Sequence, residues 1–344
     1  MVVTMRDVAQ KVGVSKQTVS AVLNGKPGIS AATVAKVRAA IAELGYQPNL
    51  VATSLRRGFN NTIGLLLGDV TNPYFSQLAR GAEDVAIARG YGVMLCNTYD
   101  DPARWLMYLQ MFVRQQIPGV VGVSEDKARE LGLPASCIFQ EAPLMDDRRG
   151  GYVATAHLLD LGHRRIACIT APATSLPGIE RMRGFQTALS DWNVEFDSRL
   201  VVEASFDYAS GTQAVKQLLQ VNHDNPPTAI FVHQDLIAIG AITALKRAGL
   251  RVPEDVAMIG YDGLEIASLY DPALSTIIQP VYQMGVHAMA QLLDKLEGKA
   301  ASELDPLDCT LVVRQSTVAD LMQEHCSQPI ATGEPWRDWR IETQ

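Results

Sequence analysis

The stretch GVSKQTVSAVLNGK, Gly13 to Lys26, joins a tight turn to a short helix whose surface is too polar for a core element. Only Val19, Val22 and Leu23 suit burial. Lys16, Gln17, Thr18 and Ser20 crowd the opposite side. Before it, MRDVAQKVG forms a first helix with Val8, Ala9 and Val12 on one face. Gly13 ends that helix, because glycine takes the left-handed cap conformation at little cost. Ser15 then caps the next helix by accepting from free backbone N–H groups. Helix two spans Lys16 to Leu23 and stops at Asn24-Gly25. Ser30 caps a third helix, in which Val34, Val37, Ile41 and Leu44 recur at amphipathic spacing.

Two short helices joined by a tight turn and packed on a third make a helix-turn-helix, whose second helix enters the DNA major groove. That placement gives the polar face a purpose. The Gln17 amide suits bidentate pairing with adenine and Lys16 suits guanine O6 and N7. Ser15, Thr18, Ser20 and Asn24 suit phosphate contacts, which fix position and carry little sequence information. The alternative is a solvated three-helix bundle with no ligand. Charge argues against it. The 344-residue chain carries a net −7, yet from Met1 to Gly58 eight Lys/Arg face two acids, a local +6, and the remainder carries −13. A small basic module that meets a polyanion is thereby fused to an acidic body that does not.

The segment that follows, PNLVATSLRRG (48–58), has apolar Leu50, Val51 and Leu55 but is too short for a stable isolated helix. It would order only against a twin segment, DNA or both. An apolar tip flanked by Arg56 and Arg57 suits a minor-groove wedge, with Leu55 unstacking a base step. A plain linker is the alternative on this stretch alone.

From Asn61 the texture changes. TIGLLLG is a continuous apolar run of the kind a buried parallel strand shows. A helix from Tyr74 to Arg89 follows, then the strand YGVMLCN. The alternation continues through GVVGV, a helix Gly150–Leu161, RRIACIT, a helix Gly178–Leu189, TAIFV, a helix Leu236–Ala248, and DVAMIGYD. Such a chain builds parallel sheets covered by helices on both faces. Some 280 residues suit two lobes. The expected class is therefore α/β in the body with an all-α head: residues 1–47 as helix-turn-helix, 48–60 as hinge and linker, 61–344 as a two-lobed body with chain crossovers.

In open sheets of this kind, ligands bind beyond the carboxyl ends of the strands. Asp69, Asn72, Tyr74 and Phe75 follow the first strand, Gln234 and Asp235 follow TAIFV, Asp262 ends DVAMIGYD, Asp146 precedes a Gly-Gly pair, and Arg181 lies in RMRGF. Carboxylates and Arg bind hydroxyls, and aromatic faces stack on sugar rings or bases. Asp69 or Asp262 as caps and Phe75 as core are the competing readings. Arg183 reads as a surface ion-pair residue, and His157 and His163 as structural.

Several classes fall away. There is no G-x-S-x-G, Walker loop, G-x-G-x-x-G after the first strand, or H-E-x-x-H, so no catalytic residue is assigned. The five cysteines, Cys96, Cys137, Cys168, Cys309 and Cys326, are scattered without metal-ligand spacing, and read as free thiols in a reducing compartment. Neither a metal nor a cofactor is expected. No apolar run is long enough to span a membrane, and MVVTMRDVAQKVG lacks an export signal, so a cytoplasmic location fits.

The chain resembles the LacI/GalR family of transcription regulators along nearly its whole length. The matching stretches are DVAQKVGVSKQTVSAVLNG, AIAELGYQPNLVATSLR, IGLLLGDVTNPYF, HLLDLGHRRIACI, RMRGF, VPEDVAMIGYD, LSTIIQPVYQMG and VRQST. The resemblance implies a periplasmic-binding-protein-like body and a homodimeric repressor on a pseudo-palindromic double-stranded DNA operator. It also implies a small-molecule effector, usually a sugar, between the lobes. By position it places base reading on Lys16, Gln17 and Ala21, and a phosphate contact on Tyr46. It places hinge contacts on Asn49, Ala52, Leu55 and Arg56. Arg181 and Asp262 match effector-contacting positions, and Tyr74 and Phe75 match aromatic ones. Ala21 departs from the polar side chains common there, and Gln234-Asp235 replaces a usual Asn-Asp. The tail beyond Leu321 carries Trp336 and Trp339 but no leucine heptad, which points to a dimer rather than a coiled-coil tetramer.

Overall fold

The computed structural model describes residues 3–23, 25–46, 61–99, 101–123, 125–130, 138–140, 146–300, 307–319 and 326–330. Asn24, the hinge positions Asn49, Ala52, Leu55 and Arg56, and the tail tryptophans lie outside them.

The head consists of α1 (Met5–Val12), α2 (Lys16–Leu23) and α3 (Ala31–Leu44). Asp7 Oδ2 accepts the Thr4 N–H at 2.7 Å and so anchors the start of α1. Gly13 ends it at φ 74°. Ser15 Oγ then accepts the Thr18 N–H at 3.1 Å, and Ser30 Oγ the Thr33 N–H at 3.2 Å, so both caps read from the sequence are present. Val8, Val19 and Val37 are fully buried between the helices, with Val34, Ile41 and Leu44 packed around them.

The first lobe holds β1 (Thr62–Leu67), α4 (Pro73–Ala88), β2 (Gly92–Asn97), α5 (Pro102–Arg114), β3 (Gly119–Val121), α6 (Glu125–Glu130) and β4 (Ile138–Gln140). Its sheet runs β2-β1-β3-β4, all parallel. Ile63, Leu65 and Leu67 bury on the α4 face, and Leu66 and Val120 on the α5 face with Phe112. A strand covered on both faces is apolar at nearly every position, as TIGLLL is.

The second lobe begins with α7 (Asp147–Asp160), β5 (Ile166–Thr170) and α8 (Leu176–Asp191). A short 3-10 turn leads to β6 (Val201–Glu203), α9 (Tyr208–Val221), β7 (Ala229–Val232), α10 (Asp235–Arg247) and β8 (Ala257–Asp262). After α11 (Glu265–Leu269) and β9 (Ser275–Ile278), the chain returns to the first lobe as α12 (Val281–Leu296). It then comes back for β10 (Cys309–Val313) and β11 (Cys326–Ile330). The strand order is β11-β10-β9-β8-β7-β5-β6. The expectation of wholly parallel sheets needs one correction, because β10 runs antiparallel to both β9 and β11. Alternate residues split between two cores: Cys168, Phe231 and Ile259 face α7 and α8, and Ile169, Ile230 and Met258 face α9 and α10.

The lobes are tied by α12, which leaves the second sheet and packs on α4. A Cβ on Gly81 would lie 2.0 Å from the Tyr282 carbonyl oxygen, and one on Gly285 2.0 Å from that of Leu78. Two glycines thus let the helix backbones touch, and they fix where the crossover docks. Arg89 at the end of α4 binds Asp294 of α12 at 2.6 Å, with Asp294 buried. A buried charge persists only when paired in this way.

Candidate functional site

Two surfaces carry the candidate residues. On the head, Val19 and Val22 of α2 point into the core, so Lys16 and Gln17 are left fully exposed at the helix start. Ser15 and Thr18 hold each other, Oγ to Oγ1, at 2.9 Å. Ser20 and Ala21 are half-buried on the flank. The Tyr46 ring is buried in the head core, which confines any DNA contact to its hydroxyl.

The second surface lies where the parallel strands of both lobes end. Arg181, buried on α8, is its centre. Its Nε donates to Asp147 Oδ1 at 2.8 Å, and its Nη1 donates to the His233 carbonyl at 2.5 Å. The same Nη1 stands 3.8 Å from Asp262 Oδ1. The guanidinium lies over the Tyr261 ring, 3.6 Å from its centroid. Burial opposes the charge, but Asp147, Tyr261 and Asp262 outweigh it and keep Arg181 ionised.

Asp262 ends β8 at φ 113°, a strained setting for a non-glycine residue. Its Oδ1 accepts Gln279 Nε2 at 2.8 Å, while its Oδ2 is buried with no hydrogen-bond partner among the described residues. Burial pushes this carboxyl well above the ordinary range, with Arg181 pulling the other way. Two further orphans belong to predicted site residues. Asn72 Oδ1 caps α4 by accepting the Tyr74 N–H at 3.0 Å, while Asn72 Nδ2 and Gln234 Oε1 find no partner among the described residues. Tyr74 joins the lobes: its ring packs against both cores, its hydroxyl donates to Met284 Sδ at 3.9 Å, and Phe75 meets it edge-on. Burial and the nearby Asp262 push the Tyr74 hydroxyl above its ordinary range.

Other candidates serve local structure. Asp69 Oδ1 accepts the Thr71 N–H at 2.9 Å. Asp146 is exposed and caps α7 through the Arg149 N–H, and its neighbour Asp147 reaches Arg181 instead. Asp235 spends one oxygen on Thr276 Oγ1 at 2.7 Å and the other on the Leu264 N–H at 2.8 Å, and burial pushes it up to about 7. Phe75 is half-buried against the first-lobe core. Arg183 pairs with Glu180, His157 with Thr317, and His163 with Thr228.

Sequence reasoning missed Asp147, Tyr261, His233 and Gln279. Tyr261 and Gln279 lie in quoted stretches beside strand ends, which was signal enough. His233 precedes a chosen pair but sits where an apolar strand was being counted.

An Arg held by one carboxylate, near a second with an oxygen unpaired among the described residues, sets acceptors and donors in a buried, low-dielectric environment. Such a set matches the chemistry of hydroxyl groups, each of which both donates and accepts.

Comparison with known proteins covers both the head and the body. Residues 4–49 match the family described as "Bacterial regulatory proteins, lacI family". Residues 155–317 match the "Periplasmic binding protein-like domain". The chain is 35% identical over 311 residues to the HTH-type transcriptional repressor PurR of Aliivibrio fischeri (strain MJ11), covering 86% of this chain and 92% of the relative. It is 37% identical over 312 residues to the ribose operon repressor of Escherichia coli (strain K12), covering 85% and 93%. The fold is similar to the lac repressor dimer bound to operator and the anti-inducer ONPF, with TM-score 0.81, 29% identity and coverage of 92% and 99%. It is also similar to a LacI family transcriptional regulator from Enterococcus faecium with bound ribose, with TM-score 0.64, 31% identity and coverage of 74% and 98%.

Proposed function

The chain belongs to the lacI family of bacterial regulatory proteins, and we propose that its operator affinity is set by a sugar or sugar derivative held between the lobes. It is a DNA-binding repressor under small-molecule control. Residues 1–47 read the operator, 48–60 form the hinge, and 61–344 bind effector and dimerise. Lys16 and Gln17 read base edges, with Ala21 able to touch only a thymine methyl. Ser15, Thr18, Ser20, Asn24 and Tyr46 contact phosphates, and Asn49, Ala52, Leu55 and Arg56 the central minor groove. No catalytic step is assigned. No helix among the described residues is long and apolar enough to cross a membrane, and a DNA-binding role supports a cytoplasmic location.

The observation that carries the effector reading is that, of the buried polar atoms without hydrogen-bond partners among the described residues, three belong to candidate site residues: Asn72 Nδ2 from one lobe, Gln234 Oε1 and Asp262 Oδ2 from the other. Such atoms are costly unless something satisfies them. Hydroxyls spanning the cleft would donate to the two acceptors and accept from the amide, and so favour one lobe arrangement over another. An effector acts only through such a difference in affinity. The lobe arrangement in turn sets the spacing at which the two hinges of a dimer begin. Arg181 and Asp262 hold the ring hydroxyls, Tyr74 and Phe75 face the ring, and Asp69, Asp146 and Asp235 shape the walls.

A thermal-shift panel containing D-ribose, cellobiose, polyols and nucleobases tests this. A sugar that raises the melting temperature of the full chain, and loses that effect in Arg181→Ala, supports the reading. A nucleobase that does so in place of every sugar would replace the proposed class.

A further inference from the structure

His233 has no part in the effector contacts just described, yet it is fully buried directly beneath Arg181. Its Nδ1 accepts the Ala171 N–H at 3.3 Å, so Nδ1 carries no proton. The proton therefore sits on Nε2, which lies 3.4 Å from Cys168 Sγ and donates to it. Burial, with Arg181 adding repulsion, holds the ring well below its ordinary range, and it stays neutral. The Phe231 ring lies beside it, 5.0 Å between centroids. Two contacts thus bolt the imidazole, one residue past the end of β7, to β5 and the residue after it, and the same residue's carbonyl takes Arg181 Nη1 at 2.5 Å.

That Nη1 has a second suitor. Asp262 Oδ1 stands only 3.8 Å away and carries the opposite charge. Opposite charges this close in a buried site close the gap unless something holds them apart. Asp147 grips Nε and the Tyr261 ring backs one face of the guanidinium, but neither takes up Nη1. The carbonyl of His233 is the group that occupies Nη1.

Given that the cleft takes the effector, we propose that His233 is a positioning residue: its ring, clamped in one tautomer between Ala171 and Cys168, aims its own carbonyl so that Arg181 is held off Asp262. Asp262 then keeps one oxygen open to the effector. A small side chain at 233 would fill the strand end but leave the turn free to rotate its carbonyl away.

The test reads geometry without any ligand. Nitrogen-15 spectra of the full chain, assigned through His233→Asn, should show an Nε2–H imidazole that does not titrate between about pH 5 and 9. Crystal structures of His233→Ala should show Arg181 Nη1 in a direct ion pair with Asp262, near 2.8 Å. His233→Asn should keep the gap near 3.8 Å, because its Oδ1 replaces Nδ1 as acceptor for the Ala171 N–H. A merely space-filling role predicts the same Arg181 geometry in both variants. An Nδ1–H signal, a titrating ring, or an unchanged gap in His233→Ala overturns the proposal. Should His233→Ala fail to fold, His233→Leu, which keeps bulk but offers the Ala171 N–H no acceptor, takes its place: it should close the gap, and an unchanged gap overturns the proposal. If Arg181→Ala leaves every sugar response intact while His233→Ala closes the gap, the cleft assignment fails and the positioning role stands.

Discussion

Replacing Asp262 by Asn separates binding from stability at one atom. The residue sits at φ 113°, a backbone setting that Asn tolerates about as well as Asp. The bond from Gln279 to Oδ1 at 2.8 Å survives. What changes is Oδ2, a buried carboxylate oxygen with no partner among the described residues. In the variant that atom becomes an NH2 donor, and an effector hydroxyl that donated to a carboxylate must turn and accept a neutral hydrogen bond instead. A hydrogen bond to a charged group contributes about 1.5–3 kcal/mol, so effector affinity should fall roughly 10- to 150-fold. Stability should move the other way. Burial holds the Asp262 carboxyl well above its ordinary value, so ionisation at neutral pH opposes folding. The sign follows from linkage: the native state holds its proton to higher pH than the unfolded chain, so the wild type loses stability as pH rises from about 4 through the folded value. Asp262→Asn removes that loss. Its melting temperature should match or exceed the wild type at pH 7–8, with the difference vanishing toward pH 4. Thermal shift across pH and fluorescence anisotropy on an operator fragment, titrated with whichever sugar the panel identifies, measure both. Undiminished effector sensitivity, or a variant markedly less stable at pH 8, would refute the reasoning.

Four further outcomes are expected. Gly285→Ala should destabilise by about 1–3 kcal/mol in urea unfolding despite the better helix propensity of Ala, since its Cβ would meet the Leu78 carbonyl oxygen at 2.0 Å; a more stable variant would contradict the close α4–α12 contact. Ser15→Ala removes the cap on α2 and should cost the head about 0.5–2 kcal/mol, read as weakened operator binding and earlier melting of the head. Gln17→Ala should relax preference at one operator position by about 1–3 kcal/mol in a binding-site selection, and an unchanged preference would shift the docking register. His157 is held down to about 4 by burial, so the unfolded chain takes a proton that the native state refuses and stability falls as pH drops from 6.5 toward 4; His157→Gln should flatten part of that fall in a pH series of melting temperatures.

Much of the fold could be read where local signals agree. In α2, turn chemistry, cap and polar face all point one way, and the helix spans Lys16–Leu23 as the residues suggest. The strands of TIGLLL and AMIGYD are legible because burial on both faces makes them apolar throughout. The helices α5, α9 and α12 are harder to place from sequence: PARWLMYLQMFVR is one-sided but does not say which sheet face it covers, and α12 owes its place to a lobe far away in sequence. The antiparallel β10 and β11 escaped because pairing direction leaves no periodic mark. Among the candidate residues, Asp262 is legible from its place at the end of an apolar strand, and Arg181 only from RMRGF and the family resemblance. Asp146 was chosen over Asp147 because two adjacent carboxylates look alike in sequence. Only the helix start distinguishes them, turning one outward as a cap and the other inward to Arg181. Asp235 stands out in sequence because it follows an apolar strand, and only the three-dimensional fold brings Thr276 and Leu264 to both its oxygens.

The central claim is that a basic head grips duplex DNA and the acidic two-lobed body decides when. Anisotropy titrations of the full-length chain against double-stranded genomic fragments, at stepped salt and with and without the sugar panel, test it most directly. With some 6–10 phosphates contacted, affinity should fall about 10³- to 10⁵-fold between 50 and 200 mM salt, and one small molecule should shift the whole curve. Binding that ignores both salt and every small molecule, or no binding to any fragment, would contradict it.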